Sequence, residues 1–209
     1  MLIHLQCNNA FVFSNGTNFS MQANMRSKKL SSNVISSANH NILKSACIYG
    51  ANNAGKTCLI RVLHAAWSVI VGKPMGTSPN LYSNNPVVSI TCGFLDEAKE
   101  WNYAFSYDAG KGEFVSEQLS RISYDVYGNK KTTTYFIHDF KMQKFDCLDE
   151  KNRATLPLLG KTSSLIHLVD TTTLPYLQEA KKAMLHFADS LVIIDMNNIP
   201  MQKTIDMLK

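Results

Sequence analysis

The sequence predicts an α/β domain that is built around a phosphate-binding loop (P-loop) and carries an antiparallel β-lobe. First, residues 50–57, Gly-Ala-Asn-Asn-Ala-Gly-Lys-Thr, fill every defined position of the pattern G-x-x-x-x-G-K-[ST]. Second, a short apolar run precedes this loop and a helical pattern of apolar residues follows it. Third, residues 87–138 consist of strand-like segments separated by turn residues, which is typical of an antiparallel meander.

The residues ahead of the loop are predicted to form two or three short strands and then a surface loop. Apolar stretches at 2–7, 11–13 and 19–21 are separated by turn sequences that contain Asn and Gly. Residues 24–41 are rich in Ser and Asn and include three basic residues, Arg26, Lys28 and Lys29. These side chains would approach a bound phosphate if the segment folded over it, and a basic surface loop is the other interpretation. Residues 46–49, Ala-Cys-Ile-Tyr, are predicted to form a buried strand that leads into the phosphate loop.

Each defined position of the loop has a chemical role. Gly50 and Gly55 allow close approach of phosphate, Lys56 reaches the β- and γ-phosphates, and Thr57 offers a hydroxyl to Mg²⁺. Backbone N–H groups at a helix start provide the remaining phosphate contacts. The sequence therefore predicts ATP and Mg²⁺ as ligands, Lys56 as the catalytic residue, and a nucleotide-binding set comprising Gly50, Ala51, Asn52, Asn53, Ala54, Gly55, Lys56, Thr57 and Cys58. The alternative is a glycine-containing strand-to-helix turn with a solvated lysine.

A helix is predicted over residues 57–71, because apolar side chains recur there at spacings of three and four: Leu59, Val62, Leu63, Ala66, Trp67 and Ile70. Strands are predicted at 87–94, 101–107, 114–126 and 132–138. Towards the C-terminus, the pattern indicates a helix over 174–188, a buried strand over 191–195 and a helix over 201–209. We divide this single domain into a nucleotide-binding lobe (1–71), a meander (80–147) and a helix-strand-helix extension (165–209).

Composition and charge are those of a globular protein. Of the 209 residues, 45% are apolar and 18% charged, and no apolar run approaches the length of about 20 residues that spans a bilayer. The N-terminus lacks the features of a signal peptide, so we expect a cytoplasmic protein without membrane association. The five cysteines are scattered and are expected to be buried, reduced thiols. The net charge of +5 is compatible with a DNA partner but does not establish one.

The sequence also resembles a known group of ATPases. The features that carry the resemblance are residues 1–5 with 11–14, the run 43–52 that enters the loop, and residues 101–105 leading to 117–119. In these features, which cover roughly residues 1–125, the chain resembles the N-terminal half of ABC-type ATPase heads of the RecF, SMC and OLD-like group. It is particularly similar to bacterial AAA-type ATP/GTP phosphatase proteins that are linked to abortive phage infection.

The resemblance implies an ATPase that is incomplete within this chain. In such heads, a second protomer supplies a signature motif, and hydrolysis needs a Walker B carboxylate, an adjacent glutamate, a Q-loop glutamine and a switch histidine. The sequence contains no L-S-G-G-like signature, and Gln118 falls within a predicted strand, where a surface glutamine is the simpler interpretation. The apolar residues 191–194 followed by Asp195 have the form of a Walker B strand, which makes Asp195 a candidate Mg²⁺ partner. However, Met196 stands where the heads have glutamate.

Three functional hypotheses follow. The first is an ATPase whose hydrolysis is coupled to dimerisation or to an effector protein, and the resemblance places it in defence against phage. The second is an interaction module that binds a nucleotide without turnover, and whose partner is a second copy or a protein that supplies the missing half of the head. The third is a DNA-binding regulator, for which affinity should fall steeply with salt and survive Lys56→Ala.

Overall fold

The computed structural model describes residues 1–24, 31–37, 39–168, 174 and 176–191. Its strands are β1 (Leu2–Asn8), β2 (Thr17–Ser20), β3 (Val34–Ser37), β4 (His40–Leu43), β5 (Val87–Asp96), β6 (Lys99–Asp108), β7 (Glu113–Tyr124), β8 (Lys130–Asp139) and β9 (Lys144–Cys147). Its α-helices are α1 (Lys56–Ile70), the one-turn α2 (Leu165–Leu168) and α3 (Tyr176–Asp189). Short 3₁₀ turns occur at Ser31–Asn33 and Glu150–Leu158.

A seven-stranded antiparallel sheet dominates the structure. Its strand order is β2-β1-β5-β6-β7-β8-β9, and a separate two-stranded sheet joins β3 to β4. The four long strands β5 to β8 pair with their neighbours in sequence, which confirms the predicted meander. The turn between β5 and β6 consists of Glu97 and Ala98, both with positive φ angles (46° and 63°). Two left-handed residues in succession match the twist of a tight hairpin.

The helices cover one face of this sheet and form the core with it. Cys92, Tyr103, Leu119 and Phe136 lie opposite one another in successive strands, and all four are fully buried. Helix α3 packs on the same core, where Phe187 stacks on Phe94 with ring centroids 4.5 Å apart. The predicted helices over 57–71 and 174–188 are thus confirmed as α1 and α3 to within two residues at each end.

The predicted fold class is wrong. A P-loop α/β core requires parallel strands connected by helices, whereas every strand pairing within the described residues is antiparallel. The predicted buried strand at 46–49 is an exposed, irregular segment, and Tyr49 is 90% exposed. The apolar character of these four residues suggested a strand, but a strand also needs a hydrogen-bonding neighbour, and β1 and β5 instead pair with each other.

The N-terminal predictions are partly confirmed. Strands β1 and β2 are present, but residues 11–13 lie in a turn. The predicted surface loop over 24–41 is wrong in its second half, because β3 and β4 form a hairpin there and His40 is buried. Arg26, Lys28 and Lys29 lie outside the described residues, as do Asp195 and the helix predicted over 201–209. No helix in the described part of the chain has the length and apolar character needed to cross a membrane.

Candidate functional site

The phosphate-loop motif lies at the N-terminus of α1, where the sequence predicted it. Gly55 precedes the helix with a left-handed backbone (φ +87°), and its carbonyl accepts the first helical hydrogen bond from the Leu59 N–H at 3.0 Å. The N–H groups of Lys56, Thr57 and Cys58 therefore have no acceptor within the helix. The first turn of α1 contains no acidic side chain, so the positive end of the helix dipole is not neutralised from within that turn.

Lys56 folds back over the loop. Its Nζ donates to the carbonyl oxygen of Gly50 at 2.8 Å and to that of Ala51 at 2.6 Å. The loop closes on itself through the Ala54 N–H, which donates to Ala51 O at 3.2 Å, and through Asn53, which has a φ of +65°. Two backbone carbonyls thus hold the ammonium group above a short turn whose residues 50–54 are all exposed.

The other predicted ligands have different surroundings. Thr57 is exposed on the first turn of α1, immediately after Lys56, whereas Cys58 is half-buried. The structure therefore brings residues 50–58 together at one helix end. Asp195 lies outside the described residues.

The loop packs against a turn near the N-terminus, which sequence reasoning missed. A Cβ atom on Gly55 would lie 3.0 Å from Val12 Cγ2 and 3.4 Å from the Phe13 ring, so these side chains are close against the glycine. Phe11, in the same turn, has a φ of +52°. The sequence indicated a turn at residues 8–9, but nothing in the spacing indicated which part of the chain would contact it.

Two asparagines hold this turn in place. The Asn9 side-chain amide donates to Asn85 O at 2.7 Å and to Val87 O at 2.9 Å, and its Oδ1 accepts from the Asn80 N–H at 3.2 Å. The Asn80 side chain in turn donates to Phe11 O at 3.0 Å. Both asparagines are buried, and together they join the turn to the segment that enters β5. The position of the phosphate loop is therefore coupled to that of the sheet.

The C-terminal end of α1 is also anchored to the sheet. His167 Nε2 donates to Ile70 O at 2.8 Å, which connects α1 to α2. At the other end of α2, buried Glu117 of β7 accepts from Ser164 Oγ at 2.6 Å, from the Leu165 N–H at 2.7 Å and from Tyr103 Oη at 2.7 Å. Burial raises the pKa of Glu117 above its ordinary value, although these hydrogen bonds favour the carboxylate. The helix that carries the loop is thus held at both ends.

Among the residues that the structure describes, the remaining candidates do not assemble into a metal site. All five cysteines are free thiols. Burial raises the pKa of Cys7 to about 11 and that of Cys92 to about 12, which keeps both protonated near neutral pH. The expectation of burial was wrong for Cys47, which is exposed. Within the described ranges, no three His, Cys, Asp or Glu side chains are close enough to hold a metal ion. Gln118 is exposed on β7, as expected for a surface glutamine.

Comparison with known protein families and with curated proteins found no match to this chain.

Proposed function

We propose that this chain binds ATP with Mg²⁺ through residues 50–58. The observation that carries the proposal is the position of Lys56, whose ammonium group is held over an exposed loop at the free N-terminus of α1. An ammonium group has three donors, so it can hold a phosphate oxygen in addition to the carbonyls of Gly50 and Ala51. Backbone N–H groups of the first helical turn have no acceptor within the helix, and such groups favour an anion.

Thr57 fits the role of a Mg²⁺ ligand in this proposal. Its hydroxyl is exposed directly after Lys56, and Mg²⁺ in nucleotide sites is typically held by one or two protein oxygens together with phosphate oxygens and water. When bound, the ion would neutralise charge on the phosphates. Lys56 and the N–H groups of residues 51–57 would position the phosphates, and electrostatic positioning of this kind accounts for most of the catalysis in phosphoryl transfer.

Hydrolysis would make the protein an ATPase, and the resemblance to ABC-type heads favours that activity. A second candidate is a nucleotide-dependent interaction module without turnover. It is favoured by the exposed segment 44–49 beside the loop, where Ile48 and Tyr49 present apolar surface that a partner would cover. A second copy or an effector protein is the proposed partner, and a role in phage defence rests on the resemblance alone. The free thiols of all five cysteines are compatible with a cytoplasmic setting.

The test is Mg²⁺-dependent ATP binding and turnover by the full chain, measured in parallel. Lys56→Ala should weaken binding at least tenfold, because it removes the charge that contacts the phosphates. Thr57→Val should reduce the dependence on Mg²⁺ more than it reduces affinity in the absence of the ion. Lys130→Ala, at an exposed lysine of β8, is the matched control and should bind like the unaltered chain.

Turnover that is lost in Lys56→Ala would establish the ATPase. Binding that requires Lys56 without turnover would establish the interaction module. If Lys56→Ala and Lys130→Ala bind ATP equally well, the loop is not the nucleotide site and the proposal is wrong.

A further inference from the structure

A pocket of about 260 Å³ lies at the C-terminal end of α1, between that end, strands β6 and β7 and the segment 162–167. Its lining combines apolar and polar side chains, and the apolar part is formed by Val69, Pro74, Met75, Tyr107 and Phe114. The rings of Tyr107 and Phe114 meet edge to face, with their centroids 5.3 Å apart. Apolar and aromatic walls with a few polar groups are typical of small-molecule sites.

The segment 162–164 supplies hydroxyl groups to the pocket. Thr162 and Ser163 are exposed, and their hydroxyls make no hydrogen bond with the part of the chain that the structure describes. The Ser164 hydroxyl, in contrast, donates to the buried carboxylate of Glu117 at 2.6 Å and is already paired. A ligand in the pocket would therefore use Thr162 and Ser163 rather than Ser164.

His167 supplies a hydrogen-bond acceptor whose tautomer is fixed. Its Nε2 must carry the proton, because the partner of that nitrogen is the carbonyl oxygen of Ile70, 2.8 Å away, which can only accept. In the neutral ring Nδ1 is then an acceptor, and no group among the described residues donates to it. A Cβ on Gly72 would lie 3.3 Å from Nδ1, so the glycine leaves this nitrogen uncovered. The pocket therefore calls for a ligand with an N–H or O–H donor.

The size and charge of the pocket restrict the ligand further. Its volume is below the range of about 300–1,000 Å³ that is typical for drug-sized ligands, which favours a molecule of one or two rings. The aromatic walls favour a flat ring. No acidic side chain of the described chain lines the pocket, and the Nζ of Lys73 lies 4.6 Å from the centroid of the Trp67 ring, which is not part of the lining. A neutral ligand is therefore favoured over a charged one.

We propose that this pocket binds a small, flat, neutral heteroaromatic molecule whose ring N–H donates to His167 Nδ1. The site is separate from the phosphate loop, because the 15 residues of α1 place its two ends about 22 Å apart at 1.5 Å per residue. The inference therefore does not depend on nucleotide binding at residues 50–58, and excess ATP should not displace the ligand.

The test compares benzimidazole, which has a ring N–H, with 1-methylbenzimidazole, which has the same rings and no donor. Both are titrated into the full chain by ligand-observed NMR at pH 8, where an imidazole is ordinarily neutral. Benzimidazole should bind about fivefold more tightly, which is the effect expected of one hydrogen bond. His167→Phe should abolish this preference, because it removes the acceptor, and should retain binding of the methylated probe.

Two further measurements locate the bound probe. Thr162→Trp should fill the pocket and abolish binding of both probes, whereas Thr132→Trp, at an exposed threonine of β8, should bind them like the unaltered chain. In the unaltered chain, the protons of benzimidazole should show a nuclear Overhauser effect to the Met75 methyl group, assigned through Met75→Leu. This second measurement does not require that the tryptophan variant folds.

The proposal is overturned if neither probe binds the unaltered chain, or if the two probes bind it equally well. It is also overturned if His167→Phe keeps the preference for benzimidazole, or if the bound probe shows no contact with Met75. Equal binding by Thr162→Trp and Thr132→Trp would place the probe elsewhere and would overturn it as well.

Discussion

Replacing Gly55 by alanine tests the contact that fixes the phosphate loop against the N-terminal turn. The substitution acts in two ways. It forces a side chain into a left-handed backbone (φ +87°), and it places a Cβ 3.0 Å from Val12 Cγ2. The two effects can be separated, because this chain offers glycines that have only one of them or neither.

The expected loss in the free energy of unfolding differs between these glycine positions. Gly128 has a similar φ of +83° but has no atom within 4 Å of an added Cβ, so Gly128→Ala should cost only the left-handed penalty of about 1 kcal/mol. Gly55→Ala should cost that penalty and a further amount of about 1–3 kcal/mol for the forced contact. Gly16 has open space and no positive φ, so Gly16→Ala should change the free energy of unfolding by less than about 0.5 kcal/mol.

The assay is urea unfolding of the three variants, with ATP affinity measured on the same samples. The double variant Val12→Ala/Gly55→Ala removes the crowding methyl groups and should recover most of the difference between Gly55→Ala and Gly128→Ala, because Val12 is 53% exposed and contributes little packing of its own. The reasoning is refuted if Gly55→Ala is no less stable than Gly128→Ala, or if removing the Val12 side chain restores nothing.

Two further predictions concern buried titratable groups. Burial lowers the pKa of His138 below 6.5. The unfolded chain therefore binds a proton more readily than the folded chain, and the free energy of unfolding falls as pH drops below 6.5. The loss is about 1.4 kcal/mol for each unit of difference between the folded and unfolded pKa. In urea unfolding at pH 5 and 7, His138→Asn should reduce this loss of stability at low pH. The control His64→Gln, at an exposed histidine, should leave the loss unchanged. An equal pH dependence of stability in both variants would contradict the burial argument. Burial raises the pKa of Glu117 above 4.5, so its contribution is fully present below that pH and is lost as pH rises through the raised value. Glu117→Gln should remove this pH dependence and cost about 1–3 kcal/mol at pH 5, because an amide cannot accept from Ser164, Leu165 and Tyr103 at once. An exposed control, Glu97→Gln, should match the unaltered chain, and a similar loss there would count against the buried network.

Local patterns predicted the elements of this fold better than their assembly. The helical spacing of apolar residues located α1 and α3, and the β-branched segments located β5 to β8, because these signals depend on near neighbours in sequence. The strand predicted at 46–49 failed because its formation depends on a partner strand, which four apolar residues cannot specify. The left-handed hairpin turn at Glu97 and Ala98 carries neither Asn nor Gly, so its composition gave no signal.

In the candidate site, too, local sequence patterns were informative, whereas contacts between distant parts of the chain could not be predicted. The loop residues could be proposed from spacing alone, because the chemistry of phosphate binding restricts their types and order, and their role stays a prediction. The contacts that hold the loop could not be identified, because they join residues far apart in the chain. Asn9 and Asn80 are ordinary turn residues in sequence. Only the folded structure shows that their hydrogen bonds join the N-terminal turn to the segment that enters β5.

These asparagine hydrogen bonds have a consequence for the order of folding. The surroundings of the phosphate loop come from three stretches that are widely separated in the chain, namely residues 9–13, 50–57 and 80–87. We expect contacts of such long range to form late, because the intervening chain must lose its conformational freedom before they bring any gain. An isolated peptide of residues 50–57 would carry the full motif but not the shape of the loop. The proposed affinity for phosphate should thus be acquired only when β1 has paired with β5, at the completion of folding rather than at its beginning.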